Sequence, residues 1–138
     1  MDPTTEMRNF KAAKITPEMT SELKERARKG RVWSVIATSA AKSGHPGGAL
    51  SSMDIYMTLL ASADVTPNKS DCMERDRIVI SHGHTSAGFY SALAAYGFFK
   101  PEEMYSNFRR TCSPFQGHVE RDVPGVDWGT GNLGPVNL

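Results

Sequence analysis

Residues 76–84 read Asp76-Arg77-Ile78-Val79-Ile80-Ser81-His82-Gly83-His84, and they decide the fold. Arg77 to Ser81 is a short apolar, β-branched run. Its length and composition suit a buried parallel strand better than a helix. The run ends at Gly83. Thr85 to Tyr96 then places Ala87, Tyr90 and Ala94 in helical register, with Gly97 as a natural stop. A strand feeding a helix implies an α/β fold, a parallel sheet with flanking helices. In open α/β sheets ligands bind beyond the carboxyl ends of the strands. Ser81-His82-Gly83-His84 occupies such an end, just before a helix N-terminus whose N–H groups and dipole suit a phosphate. The plainer reading is that Ser81 caps the helix.

Upstream, Thr16-Pro17-Glu18 has the marks of a helix start: a hydroxyl cap, Pro at the first helical position and an acid in the first turn. This helix is expected to reach Ala41, with a bend at Gly30. Val32, Val35, Ile36 and Ser39 give it one face. Ser43-Gly44-His45-Pro46-Gly47-Gly48 breaks it. A second helix is expected from Ala49 to Ser62, with Leu50, Met53, Met57, Leu60 and Ala61 on one side. Thr66 to Asp71 reads as a polar loop, and Lys100 to Phe108 as a short helix. The chain beyond Thr111 is rich in glycine and proline and reads as loops. Residues 1–15 show no period and read as an N-terminal arm, which leaves 16–138 as the domain.

Composition narrows the function. A net charge of +1 implies no pull toward nucleic acid or an anionic membrane. The basic residues Lys24 to Arg31 alternate with Glu22 and Glu25, the pattern of a solvated helix face. No apolar run approaches the ~20 residues a membrane span needs. The first residues lack the apolar core of a secretory signal. Cys72 and Cys112 have no paired spacing, which fits a reducing, cytoplasmic setting.

Three of the four histidines directly follow glycine: Gly44-His45, Gly83-His84 and Gly117-His118. Glycine lets backbone and imidazole approach a ligand together, and histidine suits proton transfer near neutrality. His82-x-His84, completed by His118, Cys112 and Asp122, also has the look of a metal-hydrolase ligand set. Cys112 is not in a ligand-spaced pair, however, and no further histidine is available. The run from Gly125 to Gly134 says only that backbone comes close to something, since it has neither Walker nor dinucleotide spacing.

Taken in order, these motifs resemble the transketolase family. Ser43-Gly44-His45-Pro46-Gly47, with Asp54 in the helix after it, matches the first family motif. Asp76 to His84 matches the second. Gly117-His118, Pro124-Gly125-Val126-Asp127 and Thr130-Gly131-Asn132-Leu133-Gly134 match the third. Together they cover residues 30 to 134. The style is most similar to the separate N-terminal subunit found where the enzyme is encoded as two chains.

The resemblance implies the N-terminal part of a thiamine-diphosphate-binding domain. It implies thiamine diphosphate as cofactor, with Mg²⁺ or Ca²⁺ on its diphosphate, and ketol transfer between sugar phosphates. His45 and His118 would hydrogen-bond the donor sugar, and His84 would serve both the cofactor and proton transfer. Gly131, Asn132 and Leu133 would meet the cofactor, Gly131 and Leu133 at its aminopyrimidine. No role is implied for His82. After Gly134 the family continues differently, and its metal motif lies downstream. The metal ligands are therefore expected outside this chain, the sheet incomplete and the isolated chain inactive. A C-terminal transketolase subunit or domain and a homo-oligomer are implied as partners. A non-catalytic association module, or another thiamine diphosphate enzyme such as deoxyxylulose-phosphate synthase, is the alternative.

Overall fold

The computed structural model describes residues 2–69 and 72–129. Five α-helices carry the fold: α1 (Pro17–Ala41), α2 (Pro46–Ser51), α3 (Met53–Ser62), α4 (Ser86–Ala95) and α5 (Pro101–Asn107). The start of α1 is as its sequence dictates, with Thr16 accepting the Met19 N–H at 3.2 Å and Pro17 opening the helix. Its end is closed by Lys42 in the left-handed region (φ 49°), while the Ser43 N–H reaches Thr38 O at 3.1 Å. Pro46-Gly47-Gly48 does not stay irregular. It forms the first turn of α2, where Pro costs no hydrogen bond. The single helix expected from Ala49 to Ser62 is thus two short ones that meet at Ser52.

Helix α4 is the centre. Every residue from Ser86 to Ala94 is buried. Helices α1, α3 and α5 pack around it with Met53, Tyr56, Met57, Leu60 and Met104 in one core. The face expected to bury α1 is the wrong one. Val32, Val35 and Ile36 are 45%, 45% and 39% exposed, whereas Ala27, Gly30, Ser34, Ala37 and Thr38 face the core. Close approach selects small residues here: a Cβ on Gly30 would lie 2.6 Å from Met53 Sδ. Gly30 therefore serves packing, and α1 runs through it as one helix. The expected arm also folds inward. Pro3–Phe10 forms short 3₁₀ turns, Met7 packs with Met19 and Ala61, and the Arg8 guanidinium donates to the carbonyls of Leu60, Ala63 and Val65 behind α3.

The strand expected at residues 77–81 does not form a ladder. Among the described residues none belongs to a strand. Ile78 and Ile80 are buried and Val79 is 47% exposed, so the run alternates as a strand does. Its hydrogen bonding goes elsewhere: the Ile78 N–H donates to the Asp127 carboxylate at 2.9 Å. Arg75 pairs with the same carboxylate, both side chains being nearly fully buried, and Arg77 approaches it at 3.3 Å. A side-chain acceptor thus holds the segment that leads into His82-Gly83-His84.

Two outcomes follow from this packing. Gly88 lies inside α4, where alanine would gain about 1 kcal/mol of helix propensity. The added Cβ, however, would stand 2.8 Å from Ala49 Cα and 3.0 Å from Ala49 O, both backbone atoms that cannot rotate away. Overpacking of that kind costs about 1–3 kcal/mol, so Gly88→Ala is expected to lower stability in denaturant titrations. A stabilised variant would show that α2 and α4 separate freely. At Asp127, burial pushes the carboxyl up, but hydrogen bonds from Arg75 and the Ile78 N–H, with the Arg75 charge, hold it below its ordinary 3.8. A depressed folded value gives stability that is complete above the ordinary value and lost as pH falls through the folded one. Asp127→Asn should cost about 1–3 kcal/mol at neutral pH, because it removes a buried charge that Arg75 and the Ile78 N–H both bond. The gap to wild type should narrow in acid, and a gap independent of pH would refute the ion-pair account.

Candidate functional site

The site begins with three turns. Gly44 takes φ +133°, and a Cβ there would lie 2.7 Å from Thr38 Cγ2. Only glycine makes this bend so close to α1, and His45 emerges from it at the entrance of α2. Gly83–Thr85 forms one 3₁₀ turn that runs into α4 and carries His84. His118 lies on the irregular segment 116–120, which is tied to α4 along its length. Ser86 Oγ donates to Gln116 O at 2.9 Å. The Tyr90 hydroxyl donates to His118 O and accepts the Glu120 N–H, both at 2.8 Å. The Val119 N–H reaches Gly83 O at 3.2 Å.

These holds bring the three histidines together. The rings of His45 and His84 are 4.9 Å apart and those of His84 and His118 4.4 Å, each pair edge to face. His84 Nε2 and His118 Nε2 lie 3.2 Å apart. At that distance, with one ring carrying its proton on Nε2 and the other not, the two nitrogens share a hydrogen bond. All three rings are exposed. The distance from His45 to His84 is set by α2 against α4, where Gly48 meets Thr85 and Ala49 meets Gly88.

His82 stands apart from the trio. Its Nε2 is 2.9 Å from the Tyr56 hydroxyl and 3.2 Å from Ser52 Oγ. Burial pushes the Tyr56 hydroxyl above its ordinary value, so it stays protonated. Among the described residues no group of three His, Cys, Asp or Glu is placed to hold a metal ion. The hydrolase set of His82, His84, His118, Cys112 and Asp122 therefore does not assemble. Both cysteines are free and exposed. Gly131, Asn132 and Leu133 lie outside the described residues.

The family model for the thiamine diphosphate binding domain of transketolase matches residues 23–136. The chain belongs to that family. It is 39% identical over 116 residues to Transketolase 1 of Escherichia coli, covering 83% of this chain and 18% of that protein. With Transketolase 1 of Saccharomyces cerevisiae the figures are 38% over 104 residues, 75% and 15%. Transketolase from Leishmania mexicana superposes with a TM-score of 0.72 at 32% identity, over 81% of this chain and 17% of that one. The Campylobacter jejuni transketolase gives 0.69 at 34%, over 80% and 18%. The chain thus has the fold of a thiamine-diphosphate-binding domain and spans less than a fifth of the length of these relatives. No helix among the described residues is long and apolar enough to cross a membrane.

Tyr90 and Asp127 were not among the residues singled out from sequence for the site. Tyr90 read only as one apolar position of a helix, and its hydroxyl contacts come from a segment 28 and 30 residues away. Tyr90→Phe keeps the ring but strips the partner from His118 O and the Glu120 N–H. A cost of about 1–3 kcal/mol is expected for those unpaired groups. Loss of the His84–His118 ring contact in nuclear Overhauser spectra should accompany it. A variant that keeps the contact would show that Tyr90 does not position His118.

Proposed function

We propose that this chain supplies the substrate-facing histidines of a transketolase, which moves a two-carbon ketol unit between sugar phosphates. The observation that carries the reading is the convergence of His45, His84 and His118 from three separate glycine turns into one exposed cluster. Imidazoles so placed can donate to, and accept from, the hydroxyl, carbonyl and phosphate oxygens of a sugar phosphate. The donor set fits thiamine diphosphate as well. His84 stands exposed where α4 begins, and a helix N-terminus favours phosphate oxygens.

When bound, thiamine diphosphate supplies the electron sink for breaking and making the carbon–carbon bond. His45 and His118 hold the donor's hydroxyl and carbonyl oxygens. His84, 3.2 Å from His118 at Nε2, passes a proton across that contact. Gly131, Asn132 and Leu133 belong to the cofactor side of the same reading. A hard cation such as Mg²⁺ or Ca²⁺ requires oxygen ligands. The family's metal motif lies downstream of the stretch matched here, and we place those ligands outside this chain. The alternating burial at Ile78–Ile80 supports a parallel sheet completed by further strands of the larger domain. A C-terminal transketolase region, a homo-oligomeric assembly and a cytoplasmic setting complete the reading.

Two measurements test it. The 138-residue chain alone should show no ketol transfer and should bind thiamine diphosphate with Mg²⁺ weakly by calorimetry; robust turnover by the chain alone would overturn the division of labour. Combined with its C-terminal region and supplied with a ketose phosphate and an aldose phosphate, the enzyme should turn over. His118→Ala should then slow it by roughly 10²-fold or more, as loss of an acid–base or oxyanion partner does. An unchanged rate removes His118 from the chemistry.

A further inference from the structure

His82 is the histidine that the proposed chemistry leaves unused, and its surroundings are built. Thr85 Oγ1 donates to the His82 carbonyl at 2.9 Å. A hydroxyl has one proton, so at the 2.7 Å contact between Tyr56 Oη and Thr85 Oγ1 the phenol must donate. The Tyr56 proton is then spent. At the 2.9 Å contact with His82 Nε2 the imidazole must therefore donate, with Ser52 Oγ at 3.2 Å as a second acceptor. The directions within the loop follow from the Thr85 and Tyr56 protons. The chain of bonds leaves the His82 ring, passes through Tyr56 and Thr85, and returns to the His82 carbonyl. Its middle is shielded from water, Tyr56 being 2% and Thr85 6% exposed. Hydrogen bonds in series in such surroundings reinforce one another.

We propose that Tyr56 is a positioning residue for the histidine site. Its hydroxyl holds His82 as the Nε2–H imidazole and, through Thr85, fixes the turn from His82 to Thr85. That turn carries His84, whose Nε2 meets His118. The consequence for ketol transfer rests on the function proposed above, while the closed loop of hydrogen bonds does not.

Nuclear magnetic resonance of the full 138-residue chain tests this. An imidazole N–H open to water exchanges too fast to be seen, whereas one held by Tyr56 gives a resonance. Wild type should show a His82 Nε2–H signal with a cross-peak to the Tyr56 ring. Tyr56→Phe keeps the ring contacts with Phe89 (5.6 Å) and His82 (6.0 Å), yet should lose the signal and the His84–His118 ring cross-peak. Thr85→Val should lose both and Thr85→Ser should keep both, a rescue that packing alone cannot produce. If Tyr56→Phe fails to fold, the Thr85 pair decides. Absence of the signal in wild type, its survival in Thr85→Val, or an unchanged His84–His118 cross-peak in Tyr56→Phe or Thr85→Val overturns the proposal. In the assembled enzyme, inactivity with the His82 signal present fails the proposed function alone, and activity without that signal fails the positioning role alone.

Discussion

The hold of helix α4 on residues 116–120 is the interaction on which the rest depends. Two side chains of α4, Ser86 and Tyr90, and the carbonyl of Gly83 just before it make four hydrogen bonds to that segment. Each is worth about 1 kcal/mol net, and a whole domain is stable by only about 5–15 kcal/mol. The spacing of His84 and His118 is therefore tied to a sizeable share of the fold's stability. It cannot loosen while α4 remains docked, and α4 is buried on every side. The rigid element is the helix, and the irregular segment borrows its order.

A second constraint is proximity. Gly48 against Thr85 and Gly88 against Ala49 let α2 lie on α4 with almost no side chain between them. That contact sets how far His45 stands from His84. The same economy governs α1, whose buried line is Ala27, Gly30, Ser34, Ala37 and Thr38. Hydropathy pointed to Val32, Val35 and Ile36 because it weighs apolar bulk. Distance between helix axes weighs the opposite, and a single sequence does not state how close its helices lie. The face of α3 was legible, since Met53, Met57, Leu60 and Ala61 are all buried and large apolar side chains there do mean burial.

The same division separates what else could be read. The start of α1 was legible because a cap is local: Thr16, Pro17 and Glu18 contain the whole cause. The glycine–histidine pairs were legible because they stand as neighbours in the sequence, and Gly44 at φ +133° shows the backbone demand most plainly. The run at residues 77–81 was legible as a short apolar, β-branched segment, but its partner was not. A ladder is a relation between distant segments, and here the Ile78 N–H finds Asp127, 49 residues on. Tyr90 and Arg8 were missed for the same reason. Their hydrogen bonds reach 28 to 57 residues away, and nothing within a helical window marks such a side chain as a clamp.

Geometry alone does not make the three histidines effective. Their rings are exposed, and in bulk water a unit charge at 4 Å is worth only about 1 kcal/mol, against about 4 kcal/mol at the dielectric of a partly enclosed site. Electrostatic stabilisation of a reacting oxygen needs that enclosure, because fixed donors outperform water only where water is excluded. The described residues place the donors: α4, Tyr90 and the turn at Gly83 hold the segments that carry His84 and His118. On the function proposed above, that cover comes from residues that the matched transketolases carry beyond the stretch shared with this chain, which is 15–18% of their length. The exposed Val32, Val35 and Ile36 on α1 and Val79 on the extended run are apolar surface of the kind such a cover would bury. Preorganisation and enclosure are thus separable here. The described residues bear on the first, and on the function proposed above the second belongs to the larger assembly.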